Sequence, residues 1–431
     1  MDEAEYDRFV RANLRRNYAA HYLHGMLGMT GFRILNAPTF VPVYLFSLSG
    51  SNFIVGLGLF LQQVGAVLLP VFGAAHLEHR KRVLPAAMWL GTGMRLPILL
   101  MAIAGWTLEG QALLVTLLVL LLLLGLSGGA QRVVFQLLLA KVIPIEQRGR
   151  LQAFRNVTGG LIAAGLSYWA GHYLIERNVL GNGYATTFLI AFVLTSLGLT
   201  ILRILMVEPD ALGLRPKSRA RDRLKDLPAL LASDVDYRNF LIAQMFAMGA
   251  RVAAPFYILH AGATGQLSGL AIGIYSLAYL GADTLSNLAW GYLGDRSGFR
   301  TGFVASLAIG IAATALLLVA HSMPWFIVAF IGLGAAQSGY LMSATTMVLE
   351  FGAREDVAMR LGVSSTVEGL MAAVGPLIGG LIALGFGYPP VFVVAMILQG
   401  IALLALIFGV REPRLRKASK EQALEREELG G

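Results

Sequence analysis

Long apolar stretches recur along the whole chain, and they restrict its fold more than any other feature. Each is about 20 residues or longer, the length that an α-helix needs to cross roughly 30 Å of hydrocarbon. Hydrophobic residues make up 56% of the 431 positions and charged residues only 14%, a balance that one soluble core of this length does not require. The pattern predicts an all-α polytopic membrane protein whose twelve transmembrane helices span about 19–46, 51–75, 84–104, 111–143, 153–175, 185–207, 239–262, 267–290, 301–320, 325–351, 361–384 and 389–410.

Basic residues are concentrated in alternate loops between these spans. Lys and Arg in short loops stay on the cytoplasmic side of a membrane, and the loops on the opposite side carry a single basic residue, Arg177. The alternation predicts a multi-pass protein of the inner (plasma) membrane with both termini in the cytoplasm. The net charge of +9 is explained by this asymmetry together with anionic lipid at the inner surface of the membrane. A nucleic-acid partner is therefore not needed to account for it.

The sequence contains an internal repeat of its two halves. Residues 208–238 are the one extended polar segment between spans, and Arg150-Leu151 and Gly159 recur 210 positions later as Arg360-Leu361 and Gly369. We therefore predict a cytoplasmic amphipathic segment at 1–18, six-helix bundles at 19–207 and 239–410, a cytoplasmic linker at 208–238 and a cytoplasmic tail at 411–431. With no cysteine in the sequence, neither disulfides nor thiolate metal sites are available, and no cofactor is predicted.

A charge-dense decapeptide lies between the eighth and ninth spans, with the sequence Gly291-Tyr-Leu-Gly-Asp295-Arg296-Ser-Gly298-Phe-Arg300. It is similar to the conserved loop of the major facilitator superfamily, Gly-x-x-x-Asp-Arg-x-Gly-x-Arg, and fills every fixed position. The resemblance covers essentially the whole chain. It implies two six-helix halves with a substrate site between them at the midplane, secondary active transport by alternating access, and a monomer.

The same resemblance implies that the decapeptide is a cytoplasmic gate formed by Gly291, Asp295, Arg296, Gly298 and Arg300. The glycines allow a tight turn, Asp295 suits a helix N-terminus, and Arg296 or Arg300 can pair with a carboxylate across the interface between the halves. The alternative is that these charges only set topology in a solvated turn. The first-half counterpart at residues 73–82 lacks the Asp-Arg pair, which predicts a weaker latch there.

A second resemblance concerns Gly375-Pro376-Leu-Ile-Gly379-Gly380 in the eleventh span. It is similar to a Gly-Pro-x-x-Gly-Gly core that drug-antiporter members carry in their fifth span, where this chain has Gly165-Leu-Ser-Tyr-Trp169-Ala instead. By resemblance to proton-linked efflux members, we expect export of a small organic solute.

Ionisable residues deep in the spans require a partner or a function, since each costs about 2.5–3.5 kcal/mol at mid-bilayer on insertion scales. Four arginines against two carboxylates leave the interior positive: Arg33, Arg95, Arg132 and Arg251 against Asp283 and Glu368. An anionic or zwitterionic substrate follows, with Arg33, Arg95 and Arg251 as candidate ligands through their forked donors. Asp283 and Glu368 are candidates for proton coupling, because conformation changes the environment of a buried carboxylate. The alternative is that these arginines pair only with the acids or with helix carbonyls. His21 and His24 are expected to face the interfacial region.

The competing functions differ in what the interior holds. A proton-coupled exporter of a small, anionic or amphipathic solute is favoured. Lipid or lysolipid translocation, and a non-transporting sensor or assembly factor on the same scaffold, remain alternatives. An enzyme is not predicted, because the carboxylates and histidines show no catalytic spacing, and the sequence has no Walker-type phosphate loop that would indicate ATP-driven pumping.

Overall fold

A computed structural model describes residues 3–68, 82–210, 231–232, 234–265, 267–351 and 357–412. Three features predicted from the sequence lie wholly or largely outside these residues. They are the first-half counterpart of the decapeptide at 73–81, most of the linker, and the C-terminal tail beyond 412. We call the part up to residue 210 the N half and the part from residue 234 the C half.

The described chain is helical, and the helices follow the apolar stretches closely. They are α1 (Glu3–Ala12), α2 (Leu14–Asn36), α3 (Phe40–Ser49), α4 (Asn52–Leu68), α5 (Leu84–Thr107), α6 (Gly110–Val142), α7 (Ile145–Trp169), α8 (Gly183–Leu205), α9 (Val235–Ala247), α10 (Ala250–Ala253), α11 (Tyr257–Thr264), α12 (Gly269–Ser297), α13 (Phe299–Val319), α14 (Met323–Glu350), α15 (Val357–Phe386) and α16 (Tyr388–Gly409). A π-helical turn, Ala170–Ile175, extends α7, and a short 3-10 turn, Ala254–Phe256, joins α10 to α11.

Eight stretches within the described residues are long and apolar enough to cross a membrane. They are α5, α6, α8, α13, α14, α16, most of α15 (Met359–Phe386), and the run Val235–Thr264 that contains α9, α10 and α11. The protein is thus an all-helical, multi-pass membrane protein.

Two predicted spans are broken near their middle, each beside a proline. In the first, α2 ends at Asn36 and the backbone of Ala37 is extended, as expected for a residue before a proline because the ring of Pro38 disfavours helical geometry there. In the seventh, α9 ends at Ala247 and the 3-10 turn carries Pro255. Both breaks face the interior, where non-helical backbone is tolerated in a membrane protein.

The two halves contact each other through two pairs of helices. In one pair α4 packs on α15, and in the other α7 with its π-helical turn packs on α12. Each pair joins the second predicted span of one half to the fifth predicted span of the other. The remaining helices pack mainly within their own half, for example α2 on α8 and α14 on both α12 and α13.

Glycines bring these cross-half pairs together at the end of the molecule that holds the α3–α4 and α15–α16 turns, which we call the outer end. A Cβ at Gly56 would overlap the carbonyl of Pro376, and one at Gly380 would lie 2.8 Å from the carbonyl oxygen of Asn52. On the other pair, a Cβ at Gly171 would lie 2.5 Å from backbone atoms of Gly273. The helices are therefore in backbone contact, which only small residues permit.

Hydrogen bonds join the halves at the same end. The hydroxyl of Tyr388 donates to Oδ1 of Asn52 at 3.1 Å. The backbone N–H of Leu270, in the first turn of α12, donates to the carboxylate of Glu176 at 3.0 Å. An anion at that position suits the positive end of the helix dipole. These contacts and the glycines form what we call the outer seal.

The start of the predicted linker is bound to the N half. The carboxylate of Glu208 accepts hydrogen bonds from the backbone N–H groups of Val83 (2.6 Å) and Leu84 (2.8 Å), and it pairs with Lys141 at 2.7 Å. Glu208 thereby satisfies backbone donors at the start of α5 that have no partner within the helix. Residues 208–210 therefore belong structurally to the N half.

Candidate functional site

A cavity lies inside the C half and reaches the break in the first span. Its wall carries one guanidinium, three tyrosines and several amide and hydroxyl groups on an apolar background. The lining residues are Asn36, Pro38, Ala247, Met248, Ala250, Arg251, Ala254, Tyr257, Tyr279, Ser306, Leu307, Gly310, Leu333, Ala336, Gln337, Tyr340 and Gln399. Such a wall suits a small organic molecule, since the apolar residues contact its body and the few polar groups fix its orientation.

A second cavity lies between the halves, and it shares four lining residues with the first: Asn36, Pro38, Arg251 and Ala254. Its other walls come from α4 of the N half and α15 of the C half. Arg251 thus stands at the junction of the two cavities. Within the described part of the chain, its guanidinium has no hydrogen-bond or ion-pair partner, although an arginine inside a membrane protein ordinarily needs one.

Arg33 pairs with Asp283 across the halves. Nη1 of Arg33 lies 2.8 Å from Oδ2 of Asp283 and 2.9 Å from Oγ1 of Thr284, which accepts a second hydrogen bond. The side chains of Arg33 and Asp283 are 19% and 15% exposed. A Cβ on Gly160 of α7 would lie 2.8 Å from the guanidinium, so this glycine makes room for the pair. A candidate ligand and a candidate proton carrier are therefore partners of each other.

Arg95 does not reach either cavity. It is 2% exposed, its Nε donates to the carbonyl of Thr195 at 2.7 Å, and its Nη1 donates to the carbonyl of Gly91 at 2.6 Å. The ring of Phe32 lies 5.8 Å from its guanidinium carbon. The structure therefore does not bring Arg95 to either cavity: helix carbonyls of the N half accept from its Nε and Nη1, and its buried Nη2 has no partner among the described residues.

Glu368 meets the first cavity through a tyrosine. The hydroxyl of Tyr340, which lines that cavity, donates to Oε1 of Glu368 at 2.8 Å. One turn earlier on α15, the hydroxyl of Ser364 donates to Oε1 of Gln244 at 2.8 Å. Glu368 itself does not line the cavity, so any contact between this carboxylate and a bound molecule runs through Tyr340.

The turn in the decapeptide contains fewer residues than its glycines suggest. Helix α12 continues through Asp295 and Arg296 to Ser297, and α13 begins at Phe299, so Gly298 alone makes the turn. Its φ of +84° and ψ of 154° fall in a region that is essentially restricted to glycine. Asp295 lies in the last turn of α12.

The two gate arginines bind within their own half in this conformation. Arg300 donates from Nε to the carbonyl of Leu406 at 3.0 Å and from Nη2 to that of Ile407 at 2.7 Å, so it caps the C-terminal end of α16. Nη1 of Arg296 donates to the hydroxyl of Tyr292 on the same helix, at 2.9 Å. The expected pairing of Arg296 or Arg300 with a carboxylate of the N half is not seen among the described residues.

Sequence reasoning missed the three tyrosines of the first cavity, Tyr257, Tyr279 and Tyr340. An aromatic residue in an apolar helix reads as ordinary packing, and no local pattern distinguishes a hydroxyl that faces a cavity. It also placed His21 and His24 at the interface, which is wrong: their side chains are 1% and 6% exposed. The side-chain amides in the apolar spans were a better indication of the cavities. Gln62 donates to Asn36 at 3.0 Å, and both residues line the second cavity.

The fold and the site define a polytopic helical membrane protein with an internal cavity that holds an unpaired cation. Comparisons with known proteins agree with this class. The family model described as Major Facilitator Superfamily matches residues 239–429. The C half of the chain therefore resembles this family of transporters.

Individual relatives resemble the chain over part of their length. Multidrug resistance protein MdtG of Salmonella choleraesuis (strain SC-B67) is 30% identical over 178 residues, which cover 40% of this chain and 43% of the relative. MdtG of Citrobacter koseri is 29% identical over 206 residues, covering 45% and 49%. The matched stretch therefore spans less than half the length of these curated relatives.

Solved structures resemble the chain over nearly its whole length. The nucleoside transporter NupG superposes with a TM-score of 0.68 at 12% identity, over 91% of this chain and 97% of that one. A D-xylose-proton symporter gives a TM-score of 0.73 at 11% identity, over 93% and 98%. At these identities the likeness concerns the fold alone.

Proposed function

We propose that the protein is a secondary active transporter that exports a small organic solute, anionic or amphipathic, by alternating access. One observation carries the proposal. The guanidinium of Arg251 stands at the junction of the two cavities with no partner among the described residues. A cation in that position, among tyrosine hydroxyls and carboxamides, suits an anionic group of the solute, and the apolar walls suit its organic part.

The proposed topology has twelve spans in two six-helix bundles, at 19–207 and 239–410, joined by a cytoplasmic linker. The eight apolar stretches supply part of this number. The broken first span, the shorter α4, the more polar α7 and the long α12 supply the rest. The alternating basic loops favour an inner membrane with both termini in the cytoplasm. The outer seal then faces away from the cytoplasm, so this conformation is the one closed to the outside.

Coupling to protons is proposed to run through Asp283. Protonation of its carboxylate removes the negative charge, and with it the ionic part of the contact to Arg33. Because Arg33 and Asp283 belong to different halves, loss of that contact weakens a link that favours the present conformation. The uncoupled guanidinium of Arg33 then becomes available to the anionic solute. Glu368, bonded to Tyr340 at the first cavity, is a second candidate carrier.

Export and a monomeric state are further parts of the proposal. The relatives called multidrug resistance proteins favour export. The solved D-xylose-proton symporter has its fold in common with this chain and is a proton-coupled protein by name. We propose a monomer, since two halves of one chain already form the site.

The proposal is tested by flux in proteoliposomes of the full chain. A panel of small organic anions and amphipathic anions is loaded with and without a pH gradient, and wild type is compared with Arg251→Gln. The matched control is Arg203→Gln, which removes an exposed arginine in the last turn of α8. We expect Arg251→Gln to raise the half-saturating solute concentration at least tenfold and Arg203→Gln to leave it unchanged. Equal flux in all three proteins would refute a substrate site at Arg251.

A further inference from the structure

A second group of buried donors lies in the N half, apart from both cavities. His21 and His24 are one turn apart on α2, with 1% and 6% of their surfaces exposed. The ring of His24 stacks on Phe135 of α6, with centroids 4.6 Å apart. Among the described residues, neither histidine has a hydrogen-bond partner at either ring nitrogen. Two fully buried imidazoles without partners are unusual, because burial of an unpaired polar group is costly.

Arg155 of α7 lies across α2 at this position. Its guanidinium rests against Gly25, where a Cβ would overlap Nε of the arginine. Its Nη1 donates to Oε1 of Gln152 at 3.2 Å, while its buried Nε has no acceptor. The guanidinium is close enough to both histidines to interact with them electrostatically. Because Gly25 has no side chain, Arg155 can pack against the face of α2 that carries His21 and His24.

The charge in this cluster is uncompensated within the described part of the chain. None of the three side chains is paired with a carboxylate there, and Arg95 adds a further cation that interacts electrostatically with His24. Each neutral imidazole offers one N–H and one acceptor nitrogen, and Arg155 offers Nε–H, so three donors and two acceptors are left over. The donors lie on side chains with a positive charge among them. Donors and positive charge of this kind complement an oxyanion, which accepts several charge-assisted hydrogen bonds at once.

We propose that His21, His24 and Arg155 form an oxyanion-binding site in the N half, for a phosphate or similar tetrahedral group. The group comes either from a free anion or from the headgroup of an anionic lipid. The site shares no residue with the lining of the Arg251 cavity and does not depend on the transport activity proposed above.

The test measures binding to the full-length purified protein in detergent. Thermal unfolding is followed while inorganic phosphate is titrated, with chloride at matched ionic strength as the reference, because a ligand of the folded state raises its apparent stability. We expect phosphate to raise the unfolding temperature of the wild type in a saturable way. Gly25→Ala, which displaces Arg155, and His24→Gln are each expected to weaken the apparent phosphate affinity at least tenfold.

Gly28→Ala is the matched control, since a Cβ at Gly28 meets no atom within 4 Å, and it is expected to bind phosphate like the wild type. A parallel series in phosphatidylcholine nanodiscs with and without phosphatidic acid distinguishes the source of the group. Stabilisation by inorganic phosphate identifies a free anion, and stabilisation by phosphatidic acid alone identifies a headgroup. No response to either, or an equal response in Gly25→Ala and Gly28→Ala, would overturn the proposal. Because two positions of the site are varied, failure of one site variant to fold leaves the other to be compared with the control.

Discussion

Arg33 of α2 and Asp283 of α12 form an ion pair of 2.8 Å that joins the two halves of the molecule. The pair lies near the break in the first span and has Thr284 as a second acceptor for the same nitrogen. A charged link of this kind is sensitive to protonation, and it connects the two bodies that move relative to each other in the proposed alternating access. It also accounts for two of the deep charges in the sequence without assigning both of them to substrate.

Removal of one member of this pair is expected to lower the free energy of unfolding more than removal of both. Arg33→Gln leaves a carboxylate of low exposure without its partner, and the loss should be on the order of 3 kcal/mol by analogy with other buried pairs. The double variant Arg33→Gln with Asp283→Asn should recover at least half of that loss. Thermal unfolding of the four proteins of the cycle measures the coupling. Additive effects would show that the ion pair contributes nothing specific.

The outer seal should open when its glycine contacts are enlarged. A Cβ at Gly380 would press on the backbone of Asn52, Phe53 and Gly56, so Gly380→Ala should push α4 and α15 apart. The chain has no cysteine, which allows a single Ala383→Cys reporter at this contact to be labelled without background. We expect faster labelling in Gly380→Ala and no change in Gly385→Ala, where a Cβ meets nothing within 4 Å. Equal rates would contradict the proposed role of Gly380.

The turn between α12 and α13 should tolerate substitution at Gly291 but not at Gly298. The backbone of Gly298 has φ +84°, and an alanine there should cost about 1–3 kcal/mol of stability. Gly291 is helical with open space around its Cα, so Gly291→Ala should be neutral or stabilising by up to about 1 kcal/mol. Unfolding temperatures decide between these expectations, and equal losses at the two glycines would refute the local account.

Arg95 should matter for stability and not for solute affinity. Its guanidinium bonds carbonyls of α5 and α8, so Arg95→Gln is expected to lower the unfolding temperature by several degrees. The half-saturating solute concentration of the folded fraction should stay within about twofold of the wild type. A tenfold rise in that concentration, at normal stability, would restore Arg95 as a substrate ligand.

The sequence predicts the helical class and the positions of the helices well, because apolar length and loop charge are local properties. Predicted and observed helix bounds mostly agree within a few residues, as for the sixth span at 185–207 and α8 at Gly183–Leu205. The prolines at 38 and 255 mark the two broken spans. The decapeptide carries the resemblance to the major facilitator superfamily, whose family model matches residues 239–429.

Side-chain partners are less accessible from sequence, because they depend on how distant helices rotate against each other. Arg33 and Arg251 look alike in the sequence, each shortly before a proline. Arg33 nevertheless meets Asp283, 250 positions away, while Arg251 faces two cavities. Arg150 and Arg360 occupy equivalent repeat positions, yet Arg150 is exposed and Arg360 forms a buried pair with Asp234 at 2.8 Å. Three-dimensional packing breaks the symmetry of the repeat.

The most direct measurement compares two kinds of flux in Asp283→Asn proteoliposomes. Exchange of labelled for unlabelled solute needs binding and conformational change, whereas net flux driven by a pH gradient also needs a proton carrier. We expect Asp283→Asn to retain exchange while losing at least nine-tenths of gradient-driven flux, about a tenfold effect or 1.4 kcal/mol. Undiminished gradient-driven flux in this variant would contradict coupling through Asp283.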